Sequence, residues 1–216
     1  MKLTKTGIAG LDEFLTGGLP PRILLLTGSP GSGNEVFARQ VAYYQAKLER
    51  VTYFTVNRTA DSVKEEMATY NWDISPLLGS ENWKFKTLTK AVDAKREVIE
   101  EMGQKRTVII DSLSELLLIN KLEAVIDLVT AMLRQNHNGD RYHLLLMVEG
   151  MQDSKAEIMM QHFSEGVIVF NTVWTSDNAQ KEIFIKKMKD TFVPSRKLSY
   201  SIGKKGFVIE TATRIT

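Results

Sequence analysis

An apolar segment that runs directly into a glycine-rich loop is the feature that most restricts the folds open to this chain. Residues 22–27 (RILLLT) are predicted to form a buried strand, and residues 34–48 an amphipathic helix with an apolar face. The loop between them consists of Gly28, Ser29, Pro30, Gly31, Ser32 and Gly33. A strand, a glycine loop and a helix in this order form an α/β unit whose backbone amides and helix N-terminus can hold phosphate groups.

The two residues after the loop depart from the phosphate-binding pattern. That pattern ends in Lys, whose ammonium pairs with the outer phosphates, and in Ser or Thr, whose hydroxyl binds Mg²⁺. Here the two positions hold Asn34 and Glu35. An amide replaces the cation and a carboxylate replaces the hydroxyl, so the loop is more negative where a nucleotide would bring further negative charge. We therefore predict a pseudo-ATPase that has no catalytic residue.

Apolar β-branched segments alternate with amphipathic segments of helical length through residue 163, as expected for repeated βαβ units. Further strands are predicted over residues 51–56, 83–88, 107–110 and 143–148, and further helices over 61–70, 91–102, 122–135 and 155–163. Beyond them, strands are predicted over 167–174, 182–189, 198–202 and 207–210, with hairpin turns at 176–179 and 203–206. The predicted fold class is α/β, with a mostly parallel central sheet, residues 143–148 near its centre, and antiparallel C-terminal hairpins.

Length and composition restrict the classes of protein further. The 216 residues, 43% of them hydrophobic, suit one domain over residues 1–216 with a full core. The absence of cysteine excludes disulfides and thiolate metal sites, and the three histidines lack ligand spacing, so no metal site is predicted. Neither an export signal nor an apolar run of about 18 residues is present, so we expect a cytoplasmic protein without membrane contact.

The N-terminal segment carries a family resemblance. Residues 6–20 (TGIAGLDEFLTGGLP), followed by the strand and the glycine loop, closely resemble the opening of KaiC-like ATPases of the RecA superfamily, and the resemblance extends over nearly the whole chain. It implies a RecA-like P-loop NTPase fold. Residues 108–113 (VIIDSL) resemble the family's Walker B strand, whose aspartate orders Mg²⁺ in active relatives; the matching residue here is Asp111.

The strand over residues 51–56 ends in a second departure from the family pattern. Active relatives usually follow this strand with two glutamates, one of which activates the attacking water. This chain has Asn57 and Arg58 there. An amide is not a general base near neutral pH and a guanidinium stays protonated, so the resemblance together with these residues predicts loss of ATP hydrolysis.

The C-terminal part of the chain is basic, which affects the kind of partner that it can bind. From Lys181 onward the chain has nine basic and three acidic residues. Residues 185–189 (IKKMK) resemble a family segment that reaches a neighbour's nucleotide in hexameric relatives, which implies trans-acting roles for Lys187 and Lys189. The resemblance suggests a homo-oligomer, or a hetero-oligomer with an active KaiC-like paralogue. Nucleic acid is a competing partner, because strand-exchange proteins belong to the same superfamily, although aromatic and basic residues do not interleave strongly here.

Several alternatives stay open at this stage. In a locked site, Arg58 would pair with Glu35, Asp111 or both and fill the space of Mg²⁺ and phosphate. Binding without turnover would keep weak affinity for ATP or ADP, with Glu35 and Asp111 holding Mg²⁺. Two further hypotheses are that the protein is a working ATPase with unusual Mg²⁺ ligands, or that it is a paralogue of DNA recombination or repair proteins.

Overall fold

The computed structural model describes residues 3–174, 179–191 and 196–210. Its helices are α1 (Ala9–Phe14), α2 (Asn34–Ala46), α3 (Ala60–Ala68), α4 (Ser75–Gly79), α5 (Ala91–Gly103), α6 (Leu113–Ile119), α7 (Leu122–Gln135) and α8 (Ser154–Phe163). Its strands are β1 (Ile23–Gly28), β2 (Val51–Val56), β3 (Trp83–Leu88), β4 (Thr107–Asp111), β5 (His143–Val148), β6 (Gly166–Trp174), β7 (Ala179–Met188), β8 (Leu198–Gly203) and β9 (Gly206–Ile209).

The strands form one sheet in the order β3-β2-β4-β5-β1-β6-β7-β8-β9. The six neighbouring strands β3, β2, β4, β5, β1 and β6 run parallel to one another. The remaining neighbours, from β6 through β7 and β8 to β9, pair antiparallel. The inner strands β1, β2 and β4 are buried at every residue because helices cover both faces of the sheet. The predicted α/β class, the position of β5 inside the sheet and the antiparallel C-terminal hairpins are confirmed.

Three short helices were not predicted from the sequence: α1, α4 and α6. They have six, five and seven residues, too short for a helical period to stand out from the sequence. Helix α6 begins directly after β4, where the hydroxyl of Ser112 accepts a hydrogen bond from the backbone amide of Glu115. The predicted turn at residues 203–206 joins β8 to β9, whereas most of the turn at 176–179 lies outside the described residues.

The sheet positions the candidate site. Because β1, β2, β4 and β5 are parallel neighbours, their carboxyl ends meet at one edge. The glycine loop follows β1, Asn57 follows β2, and Asp111 ends β4 at this edge. No described helix has both the length and the apolar character needed to cross a membrane.

A buried ionic cluster ties the other end of the sheet together. The Glu101 carboxylate on α5 accepts hydrogen bonds from the Lys84 ammonium (2.8 Å) and the Thr52 hydroxyl (2.8 Å), and pairs with Lys86 (2.9 Å) and Arg106 (3.3 Å). Its side chain is only 1% exposed. Burial would raise the pKa of Glu101, but the hydrogen bonds from Lys84, Lys86 and Thr52 outweigh it and lower the pKa to about 2.

Candidate functional site

The glycine loop keeps the shape that its glycines allow. Gly31 and Gly33 have φ values of 77° and 88°, in the left-handed region that side chains rarely adopt. A Cβ on Gly33 would lie 2.0 Å from Cδ1 of Ile202 on β8, so a side chain there would also displace the end of Ile202. The Tyr200 hydroxyl donates to the carbonyl of Ser32 (2.5 Å), and the Lys181 ammonium donates to the carbonyl of Gly31. The C-terminal hairpins therefore hold the loop in place.

The side chain of Asn34 points into the sheet, and the residue as a whole is only 5% exposed to solvent. Its amide nitrogen donates to the carbonyls of Met147 (3.2 Å) and Leu26 (3.4 Å), on β5 and β1, and its amide oxygen accepts from the backbone of Glu35 (3.0 Å). Both ends of the amide are thus bonded within the protein. The group that stands where the phosphate-binding lysine is expected is committed to the strands beneath the loop.

Asp111 lies beside a buried guanidinium. Its Oδ2 accepts from the Arg39 guanidinium (3.1 Å) and from the Tyr53 hydroxyl (2.7 Å), and the Arg39 side chain is 3% exposed. Burial would lower the pKa of Arg39, but Tyr53, Asp111 and Glu66 outweigh it and raise the pKa. Burial and the Asp111 charge raise the pKa of Tyr53, which therefore stays protonated and donates.

In the structure, Arg58 forms an ion pair with a different residue from those that the locked-site hypothesis named. Its guanidinium pairs with Glu66 on α3, and among the described residues Asp111 forms its ion pair with Arg39 instead. The locked-site hypothesis was therefore wrong about the residue: a fixed cation does neutralise Asp111, but it comes from α2 rather than from the end of β2. Asn57, which precedes Arg58, has a φ of 55° and turns the chain away from β2. Glu66 also pairs with Arg39, so one carboxylate joins the two arginines.

These groups surround a cavity of about 370 Å³ at the edge of the sheet. It is lined by loop residues Ser29, Pro30 and Gly31, polar residues Asn34, Glu35, Arg58, Glu66, Asp111, Ser112 and Glu115, and apolar residues Leu146, Val148 and Met151. The structure therefore brings together the sequence-predicted residues Asn34, Glu35, Arg58 and Asp111.

Three charged residues of the site were missed from the sequence: Arg39, Glu66 and Glu115. Burial, and then the Asp111 charge, raise the pKa of Glu115. Glu115 could have been found from the sequence, because Ser112 and Glu115 have the spacing of a helix-capping box. Arg39 follows Val36 by three residues and so falls on the apolar face of α2, where a charged side chain needs a buried partner.

The two C-terminal lysines lie in another cleft, formed by the ends of α7 and α8 and by β7. The Lys187 ammonium donates to the carbonyls of Ser164 (2.6 Å), His162 (2.8 Å) and Gln161 (3.3 Å), so it caps the C-terminus of α8. Burial lowers the pKa of Lys187. Lys189 is 54% exposed and lies 3.5 Å from Glu165, which leaves it the more accessible of the two.

Comparisons with known proteins show which family and which fold this chain is similar to. The family model described as "ATPase: KaiC" matches residues 4–214. A UPF0273 protein of Thermotoga maritima is 24% identical over 97% of this chain and 96% of its own length, and one of Pyrococcus horikoshii is 25% identical over 95% and 92%. The crystal structure of a KaiC-like protein of P. horikoshii superposes with a TM-score of 0.86 at 24% identity, over 97% of this chain and 99% of that one.

Proposed function

Because the chain belongs to the KaiC family of ATPases, we propose that it is a catalytically inactive member, a regulatory or assembly subunit that acts through protein contacts. The observation that carries this proposal is the side chain of Asn34. Its amide is neutral, and its hydrogen bonds to Leu26 and Met147 direct it into the sheet. No ammonium extends from this position towards the outer phosphates of a nucleotide.

The surroundings of Asp111 support the same function. A carboxylate that orders Mg²⁺ needs its charge available to the ion, but Oδ2 of Asp111 already accepts from Arg39 and Tyr53. A second cation beside a buried guanidinium would also be repelled by it. At the end of β2, Asn57 and Arg58 supply no general base for water.

Charge opposes nucleotide binding as well. Around the cavity, four carboxylates (Glu35, Glu66, Asp111 and Glu115) face two guanidinium groups (Arg39 and Arg58), which leaves two negative charges. The Glu35 carboxylate, at the first turn of α2, stands where phosphates meet the helix N-terminus in nucleotide-binding loops. A triphosphate would therefore be repelled at the place where it is normally attracted.

A restoration variant tests this proposal. We expect Asn34→Lys with Glu35→Thr to bind Mg-ADP at least about tenfold to a hundredfold more tightly than the wild type, because one charge-assisted contact is gained and one repulsive carboxylate is removed. Titration calorimetry measures the affinity, and Glu123→Thr, an exposed change on α7, is the matched control. The restored variant should still release no phosphate, since Asn57 and Arg58 remain. Equal Mg-ADP affinity in the wild type and the restored variant would contradict the proposal.

A second candidate, nucleotide binding without turnover, is favoured by one contact. The Lys181 ammonium reaches the glycine loop at the carbonyl of Gly31 and brings a cation there from β7. If Lys181 replaces the lost lysine, wild-type protein binds Mg-ADP and Lys181→Met abolishes that binding. If the wild type gives no heat of binding, this candidate is excluded.

The proposed contacts are with further copies of this chain or with an active KaiC-like paralogue. In such an assembly Lys189 has the more exposed ammonium, whereas Lys187 is bonded to the end of α8. Mixing with an active paralogue should change the turnover of that partner, and Lys189→Ala should reduce the change. An unchanged turnover on mixing would contradict a regulatory role.

A further inference from the structure

A second cavity, of about 420 Å³, lies at the edge of the sheet opposite to the glycine loop. It is bounded by the C-terminal ends of α5 and α7 and by the loop that leads from α7 into β5. Its charged and titratable side chains are Lys105, Asp140, Arg141 and His143. Because His143 is the first residue of β5, this cavity is at the amino ends of the parallel strands and is separate from the cavity described above.

His143 brings an N–H donor without a partner to this cavity. The residue is 2% exposed, and its Nδ1 accepts from the backbone amide of Val108 (3.0 Å). Burial, and then the charge of Arg141, lower the pKa of His143 to about 3, so the imidazole is neutral near pH 7 and its proton is on Nε2. Among the described residues Nε2 has no acceptor. A buried donor that lines a cavity in this way is satisfied by an acceptor on a ligand.

The guanidinium of Arg141 provides an independent observation. Its side chain is 17% exposed, and Nη1 donates to the Glu49 carboxylate. Nε of Arg141 is buried and has no hydrogen-bond acceptor within the described ranges, and Oδ1 of Asp140, at 3.9 Å, is too far away to accept. The Arg141 charge also lowers the pKa of His143, so the electrostatic potential at the imidazole is positive. An acceptor that enters this cavity is therefore favoured if it is an anion.

The other groups around the cavity restrict the kind of anion. Lys105 and Arg141 bring positive charge, whereas Asp140 and the C-terminal ends of α5 and α7 bring negative charge. A carboxylate with a single charge is repelled less by the negative groups than a dianion such as phosphate. Met102 is the one large apolar side chain among the described residues that line the cavity, so a short acid is accommodated better than a long aliphatic one.

We propose that this second cavity binds a carboxylate, which accepts hydrogen bonds from Nε2 of His143 and from the Arg141 guanidinium and pairs with the Lys105 ammonium. The ligand is a small free carboxylic acid or a carboxylate side chain of a partner protein, since both present the same group. The inference goes beyond the proposed function and is independent of it, because the site is at the other edge of the sheet from the glycine loop.

Three probes test the site on the full chain: propionate, its neutral isostere propionamide, and the α-amide of N-acetyl-glutamic acid. We expect calorimetry to give an affinity for propionate at least about tenfold higher than for propionamide, because the isostere loses the charge-assisted hydrogen bonds. Nitrogen NMR locates the binding. Propionate should shift the Nε2 resonance of His143 and leave those of His137 and His162 unchanged.

Two variants with opposite expected effects sharpen the test. Lys105→Gln should weaken propionate binding by about threefold to fivefold, because one exposed ion pair is lost. Asp140→Asn should strengthen it by a similar factor, because a repulsive carboxylate is removed. Both residues are exposed, so the variants keep the fold. Lys121→Gln, exposed at the other end of α7, is the matched control and should leave the affinity unchanged.

The two sources of the carboxylate are distinguished by the order of affinities. Tighter binding of the glutamate probe identifies a partner side chain, and propionate binding that is at least as tight identifies a free acid. Equal affinity for propionate and propionamide, no binding of any probe at millimolar concentration, or an unchanged affinity in both Lys105→Gln and Asp140→Asn overturns the carboxylate site. Turnover of Mg-ATP by the same sample would contradict only the proposed loss of catalysis, so the two failures are separate.

Discussion

Replacing Arg39 by methionine is expected to lower the free energy of unfolding by about 3–5 kcal/mol, because it leaves the buried Asp111 carboxylate without its cation. Methionine fills similar volume, so the loss reports the charge rather than a cavity. The same change removes a donor from the Tyr53 hydroxyl oxygen, which accepts from Nε of Arg39 at 3.2 Å. Denaturant unfolding followed by circular dichroism measures the difference.

Arg58→Met is the matched control for this change. Arg58 also pairs with Glu66, but its side chain is 30% exposed and that of Glu66 is 43% exposed. Exposed pairs contribute about 0–1 kcal/mol, so the control should unfold almost like the wild type. A loss below about 1 kcal/mol for Arg39→Met would mean that Asp111 does not depend on the guanidinium.

The second large effect is expected at Glu101. Its carboxylate is almost fully buried among Thr52, Lys84, Lys86 and Arg106, so Glu101→Gln should lower the free energy of unfolding near neutral pH by about 3 kcal/mol. Glu97→Gln is the control, because Glu97 is 32% exposed and lies 3.7 Å from Lys86. It should change the stability by less than about 1 kcal/mol.

The pH dependence gives the sign of the Glu101 contribution. Its pKa is lowered from 4.5 to about 2 in the folded protein, so its stabilisation is complete above the unfolded pKa and is lost as the pH falls from about 5 to 2. At about 1.4 kcal/mol per pKa unit, the wild type should lose about 3 kcal/mol more than Glu101→Gln over this range. A parallel pH dependence of the two proteins would contradict the assignment.

The comparison with the Glu101 variant is needed because His143 is also sensitive to acid. Burial, and then Arg141, lower the pKa of His143 to about 3, and its Nδ1 accepts from the backbone of Val108 at 3.0 Å. The unfolded chain binds this proton near its ordinary pKa of 6.5, so stability falls with pH from about 6.5 to 3 in both proteins. The difference between wild type and variant isolates Glu101.

Local sequence patterns predicted most of the fold. Strands β2, β3 and β5 and helix α7 begin and end at the predicted residues, because apolar periodicity and the surrounding turn residues are local signals. The same holds for the position of the glycine loop between β1 and α2. Helix α6 was not predicted because it has only seven residues, five of them apolar, and follows β4 after a single residue.

The interior of the site was less predictable. The sequence placed the right residues at one edge of the sheet, but the locked-site hypothesis paired Arg58 with Glu35, Asp111 or both, whereas the partner of Asp111 is Arg39. Partner choice depends on the direction of each side chain and on burial across three elements, β2, β4 and α2, none of which is local in sequence. The inward turn of Asn34 likewise depends on carbonyls of β1 and β5 that are exposed only in the folded sheet.

The central claim is that this member of the KaiC family does not turn over ATP. The most direct measurement is titration of the wild-type chain with Mg-ATP to millimolar concentration, with phosphate release followed on the same sample. We expect no phosphate release, because Asn34 replaces the phosphate-binding lysine, Asp111 is paired with Arg39, and the residues after β2 supply no general base. We expect little or no heat of binding, because the Glu35 carboxylate repels phosphates. Sustained phosphate release that disappears in Asp111→Asn would contradict the account.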